Sequence, residues 1–241
     1  MKALILAGGR GKRLDEYSEN RNKCMLSVRC KPVIEFSLDN AVKTKVDEII
    51  IVVGYRAEDI INYYGNHYKD KTIKYVIQWE QKGLVHAIEY AKDAIGKDDF
   101  ILMLGDEILI NPRHQQMIDR FNARADFVTC GLVEVDDKEF IKKTYTIIKD
   151  DSENIFRLIE KPRLPLNNLM GTGDCVFNNK IFSYIDVTPI HHTRNEKELP
   201  DLIQCAIDDG MPVRSFIIGD KYTNINCEDD IKIAEQIICK G

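Results

Sequence analysis

The sequence predicts an α/β fold built on a mixed, mostly parallel central sheet, and two patterns carry that prediction. In the first half, short apolar runs alternate with stretches of helical periodicity, as in strands joined by helical crossovers that cover the sheet. In the second half the strand signals follow one another too closely for such crossovers, so part of the sheet must run antiparallel. The 241 residues suffice for one sizeable α/β domain with a buried core.

Apolar runs at residues 2–6, 48–53, 73–77 and 100–104 read as strands, and the periodic stretches 33–43, 57–64 and 86–94 read as helices. Farther on, 127–133, 144–149, 155–160 and 174–177 are strand-like, while 199–208 and 229–239 are helical. No linker, low-complexity tract or internal repeat interrupts the chain, so residues 1–241 read as a single domain.

Composition narrows the partners. Lys and Arg number 34 against 39 Asp and Glu, with a pI near 5.6, which argues against a nucleic-acid-binding surface and makes any phosphate recognition local. Seven cysteines stand singly without a C-x-x-C pair, as in a cytoplasmic protein with reduced thiols rather than a disulfide framework or zinc knot. Met1-Lys2 leads straight into strand residues, with no signal-peptide apolar core, and no apolar run reaches membrane-spanning length. A cytoplasmic protein without a membrane partner is expected.

The most informative segment is Leu6-Ala7-Gly8-Gly9-Arg10-Gly11-Lys12-Arg13-Leu14, which directly follows the first strand and precedes Lys23. Glycines there let backbone N–H groups approach a phosphate that a Cβ would hold off. Arg13 and Lys23 supply the fixed positive charge a triphosphate needs. Neither the Walker pattern nor the dinucleotide pattern fits, since Leu14 stands where the latter wants its third glycine. Glycine-rich turns beside basic residues also occur in α/β proteins that bind no ligand. A second signal is Gly105-Asp106, a carboxylate at the carboxyl end of the apolar run Phe100-Ile101-Leu102-Met103-Leu104. In open α/β sheets ligands sit at those strand ends. Asp106 either holds a magnesium ion bridging nucleotide phosphates or caps the turn that follows.

Together these segments resemble the sugar-1-phosphate nucleotidyltransferases, or NDP-sugar pyrophosphorylases. Gly9, Gly11, Arg13, Leu14 and Lys23 match the spacing of that family's G-x-G-T-R-L and x-P-L-T-x-x-x-P-K. Three departures stand out: Lys12 replaces the threonine, Glu16-Tyr17-Ser18 replaces Pro-Leu-Thr, and Asn22 replaces the proline before Lys23. Gln78 and Gly83 resemble the glutamine and glycine that contact the pyrimidine in members using UTP or dTTP. A side-chain amide offers donor and acceptor to uracil or thymine, and because it can turn over it also leaves CTP open. His86 reads as a helix-surface or helix-packing residue rather than a catalyst. Gly105-Asp106 matches the family's metal-binding Gly-Asp, and Glu160-Lys161-Pro162 its E-K-P, whose glutamate meets sugar hydroxyls and whose lysine faces the sugar phosphate. Gly173 resembles the glycine before the strand lining the sugar pocket, and Arg194 the arginine of an R-x-E-x-E-x-x-D segment that reaches the acceptor phosphate. Tyr222-Thr223-Asn224-Ile225-Asn226 aligns with W-x-D-x-G, so Asn224, or alternatively Asn226, takes the place of the second metal-binding aspartate.

The resemblance implies a Rossmann-like three-layer αβα sandwich, its part of about 1–110 binding the nucleotide and about 111–241 the acceptor. It implies a nucleotidyltransferase that joins a nucleoside triphosphate to a sugar 1-phosphate with Mg²⁺ and releases pyrophosphate. The nucleotide would lie against Leu6, Ala7, Gly8, Gly9, Gly11, Arg13, Lys23, Gln78 and Gly83, the acceptor against Gly105, Glu160, Lys161, Gly173 and Arg194. Arg13, Lys23 and Lys161 would carry catalysis as positive charges, and Asp106 with Asn224 the metal. Family members often form homo-oligomers. The sequence also leaves open a cytidylyl- or guanylyltransferase with another phosphorylated acceptor, and a regulatory nucleotide-sugar-binding protein of weak activity. The chain ends soon after the last motif, without the β-helix or acyltransferase extension some relatives carry.

Overall fold

A computed structural model describes residues 1–10 and 21–240; Gly11, Lys12, Arg13 and Leu14, and with them the expectations for Gly11 and Arg13, lie outside the described residues. The chain runs β1 (Lys2–Ala7), a short hairpin of β2 (Ser27–Val28) and β3 (Lys31–Pro32), α1 (Ile34–Val42), β4 (Ile49–Val53), α2 (Ala57–Tyr64), β5 (His67–Tyr68) and β6 (Lys71–Ile77). Next come α3 (Leu84–Tyr90), α4 (Lys92–Ile95), β7 (Phe100–Leu104), β8 (Glu107–Ile110), α5 (His114–Arg124) and β9 (Val128–Glu134). It closes with β10 (Tyr145–Lys149), β11 (Ile155–Glu160), β12 (Leu169–Phe177), α6 (Leu199–Asp208), β13 (Val213–Ile217), β14 (Lys221–Asn224) and α7 (Glu228–Lys240).

Successive side chains of a strand point to opposite faces, and β1 shows what that does here. Ala3, Ile5 and Ala7 pack into one apolar layer with Ile34 and Leu38 of α1, Ile60 of α2 and Met117 and Phe121 of α5. Leu4 and Leu6 face the other layer, with Val85 and Ile88 of α3 and Leu202 and Ile203 of α6. A strand buried on both faces needs a continuous apolar run, which is why β1, β4 and β7 read so plainly. Each fully buried aliphatic side chain contributes about 1.5–3 kcal/mol relative to exposure.

The sheet order is β11-β10-β12-β7-β1-β4-β6-β5, with β9 beside β12 and β13 beside β9. Strands β1, β4, β6 and β7 are mutually parallel. β12 is antiparallel to β7 and β9, whereas β13 runs parallel to β9. The expected three-layer fold with a mixed, mostly parallel sheet is thus present, and the solved structures compared below share it. The strand order reverses about β1, with β4 and β6 on one side and β7 on the other. This switch point opens a crevice at the carboxyl ends of β1 and β7.

Local differences from the sequence reading have visible causes. The helix expected over 86–94 is two helices, because the Ala91 N–H turns to the carbonyl of Ile88, a tighter turn at 3.0 Å. β12 begins at Leu169, well before the expected 174. Its early part contains Gly171 and Gly173, the latter expected to precede the strand rather than lie within it. The structure needs them: a Cβ on Gly173 would lie 2.3 Å from the Leu104 side chain. The unforeseen α5 buries only His114, Met117, Ile118 and Phe121, a narrow stripe on an otherwise polar helix.

Candidate active site

Strand ends build the site. The backbone after β1 leads through Gly8 and Gly9, β6 ends at Ile77 just before Gln78, and β7 delivers Gly105-Asp106. These groups border a cleft of about 280 Å³ lined by Leu6, Ala7, Gly8, Gly9, Lys23, Gln78, Gly83 and Asp106. Gly83 has a φ of +92°, and a Cβ there would come within 2.9 Å of the Glu196 carboxylate. Glycine is therefore required where α3 begins. Gln78 is buried, its backbone N–H bonded to the carbonyl of Val53 at 2.7 Å and its Nε2 2.9 Å from Nδ1 of His86.

Lys23 sits on a short 3-10 turn anchored by Asn22, the residue that stands in place of the family's proline. Asn22 is fully buried. Its Nδ2 donates to the carbonyls of Ala7 and Tyr55 at 3.1 and 2.7 Å. Its Oδ1 accepts from the Cys24 N–H at 2.9 Å, and its own N–H donates to Asp59 at 2.6 Å. The side chain thus ties the turn carrying Lys23 to the end of β1, work a proline could not do.

The Lys23 ammonium pairs with Asp106 and lies 3.5 Å from the amide oxygen of Asn226. Burial opposes its charge, but Asp106 outweighs burial and holds its pKa above the ordinary lysine value. Lys23 stays a cation rather than a base. The neighbouring Cys24 thiol is pushed up to about 12, chiefly by burial and also by Asp106, so it is unreactive. Two oxygen donors, Asp106 and Asn226, converge on one positive charge, the donor chemistry of a hard cation. Asn224 pairs across β14 with Glu107 of β8, and its side chain lines the second cleft. No cluster of three or more His, Cys, Asp or Glu suited to a metal occurs among the described residues.

That second cleft, also of about 280 Å³, shares Leu84 and Leu104 with the first and is lined by Glu160, Lys161, Gly173, Asn224 and Asn226. Lys161 adopts a positive φ of 43° while its N–H donates to the Thr144 carbonyl at 2.6 Å. Its ammonium lies 3.0 Å from Glu160. Arg194 lies 3.3 Å from Glu160, and its Nε sits 2.7 Å from Glu198 at an angle that makes an ion pair rather than a directed hydrogen bond. Burial raises the Glu198 pKa, and Glu160 adds to the rise.

The structure brings together Leu6, Ala7, Gly8, Gly9, Lys23, Gln78, Gly83 and Asp106 in one cleft and Glu160, Lys161 and Gly173 in the next. Gly105 packs beneath, a Cβ there falling 3.2 Å from Cys24 Sγ and the Leu6 carbonyl. Arg194 backs Glu160 rather than lining either cleft. Sequence reasoning missed Gln81 and Glu196, which line the first cleft. It also missed Glu107, buried, which accepts from the Gly173 N–H at 3.1 Å and the Tyr222 hydroxyl at 2.6 Å. Glu196 lay within the quoted R-x-E-x-E segment and Glu107 directly follows Gly105-Asp106, so proximity to a motif was their available signal.

A glycine turn and an acid–lysine pair at the switch point of a doubly wound sheet, opening onto a second charged cleft, define a nucleotide-dependent transferase of the α/β class. Comparison with known proteins makes the class specific: the description "nucleotidyl transferase" matches residues 2–222, and the chain belongs to that family. It is 34% identical to the UTP–glucose-1-phosphate uridylyltransferase AglF of Haloferax volcanii, covering 98% of this chain and 96% of that protein. It is 31% identical to a glucose-1-phosphate thymidylyltransferase of Streptomyces griseus, over 91% of this chain and 61% of the relative. It is also 31% identical to the bifunctional protein GlmU of Methanocaldococcus jannaschii, over 100% of this chain and 59% of the relative. Among solved structures it shares the fold of a UDP-glucose pyrophosphorylase complexed with UDP-glucose, with a TM-score of 0.88, 22% identity and coverage of 99% and 98%. The UTP-bound UGPase of Acinetobacter baumannii gives a TM-score of 0.84 at 22% identity, covering 98% and 92%. The expected family and nucleotidyltransferase class are borne out. No helix among the described residues is long and apolar enough to cross a membrane.

Proposed function

We propose that this enzyme joins UTP or dTTP to a sugar 1-phosphate, releasing pyrophosphate and giving a nucleoside-diphosphate sugar. The observation that carries the reading is the continuity of the two clefts through Leu84 and Leu104, with Lys23 and Asp106 in the nucleotide part, Lys23 lying 3.5 Å from Asn226 of the acceptor part, and Glu160-Lys161 in that second part. The names of the relatives, a uridylyltransferase and a thymidylyltransferase acting on glucose 1-phosphate, support the same substrates. Residues of about 1–110 form the nucleotide part and about 111–241 the acceptor part, and the enzyme works as a homo-oligomer in the cytoplasm.

The acceptor phosphate is mostly dianionic at neutral pH, so one of its oxygens attacks the α-phosphorus and pyrophosphate leaves in line. Catalysis then needs positioning and charge neutralisation rather than acid–base chemistry. Lys23, held protonated, faces the α-phosphate and the attacking oxygen, Arg13 the departing phosphates, and Lys161 the acceptor phosphate. Glu160 accepts hydrogen bonds from sugar hydroxyls, with Arg194 bracing it. Asp106 and Asn226 would hold Mg²⁺ through their oxygens, and Asn224 faces the acceptor. Bound there, Mg²⁺ would add positive charge on the phosphates.

The test is pyrophosphate release from the four common triphosphates with Mg²⁺ and a panel of sugar 1-phosphates. Turnover with UTP or dTTP and a hexose 1-phosphate is expected. Selective turnover of CTP or GTP would overturn the base, and nucleotide-sugar binding without turnover would point instead to a regulatory protein.

A further inference from the structure

We infer that His86 fixes which atom of Gln78 faces the base, and that this positioning residue makes the enzyme select bases with a ring N–H, uracil and thymine, over cytosine. The inference rests on the uridylyl- or thymidylyltransferase reading above. A glutamine amide is by itself indifferent, because turning it over exchanges acceptor for donor. The Gln78 main chain is held in place, and His86 meets one end of its side-chain amide. The Gln78 backbone N–H is bonded to the Val53 carbonyl at 2.7 Å, and its own carbonyl accepts from Gln81 Nε2 at 3.3 Å. Its side-chain Nε2 lies 2.9 Å from Nδ1 of His86.

In the neutral tautomer protonated on Nε2, His86 Nδ1 carries a lone pair and accepts the Gln78 N–H. The ring is braced one turn along α3 by Tyr90, with centroids 4.8 Å apart. Gln78 Oε1 is then left without a partner among the described residues and turned towards Gly8, where an added Cβ would meet it at 3.0 Å. Gly8 lines the nucleotide cleft. The cleft therefore presents an acceptor. N3–H of uracil or thymine donates to it, whereas N3 of cytosine carries a lone pair and leaves two buried acceptors face to face. Such a mismatch discriminates by roughly 10- to 100-fold.

The experiment is kcat/KM for UTP, dTTP and CTP in the full chain and in His86→Phe and His86→Asp. The wild type is expected to favour UTP or dTTP. His86→Phe keeps a ring against Tyr90 but offers no acceptor, so the UTP-to-CTP ratio should fall by roughly tenfold or more, through a higher KM for UTP and a lower one for CTP. His86→Asp, whose carboxylate can only accept and falls near the place of Nδ1, should restore the ratio. A merely structural role would lower turnover of all three alike. If the phenylalanine variant fails to fold, His86→Leu removes the same acceptor and gives the same reading. An unchanged ratio in a folded variant overturns the inference and leaves the proposed function standing, whereas a wild type that prefers CTP overturns the base reading itself.

Discussion

At the nucleotide end of the cleft the described lining offers one cation, Lys23, paired with Asp106 among glycine backbone, neutral amides and Glu196, whereas at the acceptor end Lys161 and Arg194 share the carboxylates of Glu160 and Glu198. The first arrangement is built before any ligand arrives. Gly8, Gly83 and Gln78 are held by backbone and side-chain bonds that no phosphate has to break. A phosphate competes with one carboxylate, Asp106, for Lys23 in the first, and with two, Glu160 and Glu198, for the cations of the second. A nucleotide half of this kind admits its ligand with little rearrangement. An acceptor half of this kind binds well only a ligand that brings both a phosphate for the cations and hydroxyls for Glu160.

The harshest test of the comparison removes the Lys23–Asp106 pair. Lys23→Ala and Asp106→Ala should each lower kcat for pyrophosphate release by roughly 10²–10³ while retaining a cooperative thermal transition, since both groups act on charge that develops at the phosphates. Turnover within a few-fold of wild type would dissolve the assigned role of the pair. Next in size is Lys161→Ala. Losing a charge-assisted bond to the acceptor phosphate should raise the acceptor KM by roughly 10- to 100-fold, with the triphosphate KM nearly unchanged. Equal rises in both would mean that the two halves do not divide the work as described.

Legibility in the sequence followed the same division. The nucleotide half could be read because a strand buried on both faces must be apolar throughout, as in Ile49–Val53, and because Gly8, Gly9 and Asp106 follow such strands directly. The acceptor half was legible as motifs but not as geometry. Arg194 and Glu160 are distant in the chain, and only the packing of α6 near β11 shows that the arginine is already engaged by carboxylates. Asn22 was visible as a departure from a proline, yet its four hydrogen bonds join Ala7, Cys24, Tyr55 and Asp59 and could not be inferred from its neighbours. Gly173 misled: expected just before a strand, it lies within β12 and serves close packing.

Asn22 offers a measure of how firmly the nucleotide half is built. Asn22→Ala leaves the carbonyls of Ala7 and Tyr55 and the Cys24 N–H without their partner in a buried place, and should cost about 1–3 kcal/mol in urea unfolding. The same change loosens the turn under Lys23, so kcat should fall with it. Full stability with normal turnover would mean that the turn is held by other contacts. Asn22→Pro, which restores the family's residue, also removes the N–H bonded to Asp59 and should not recover the lost stability.

The smallest expected effect separates the rigidity of this half from its chemistry. Asp39 on α1 accepts from Lys31 at 2.7 Å, Lys69 at 2.6 Å and the Tyr68 hydroxyl at 2.9 Å, clipping the β2–β3 hairpin and β5 to the helix. Burial works to raise its pKa, but these donors together lower it to about 2. The native carboxyl therefore stays ionised where an unfolded aspartate, with a pKa near 3.9, takes up a proton. Its contribution is complete above about pH 4 and disappears as the pH falls towards 2. Partial exposure limits it to about 1 kcal/mol. Asp39→Asn should accordingly be less stable than wild type at pH 6, and the gap in urea midpoints should narrow below about pH 4 and close only as the pH falls through about 2, while pyrophosphate release at pH 7 stays within twofold. A gap that persists at low pH would show that the cluster stabilises by shape rather than charge. A fall in turnover would show that the nucleotide cleft depends on this remote clip, and that its readiness is less local than its hydrogen bonds suggest.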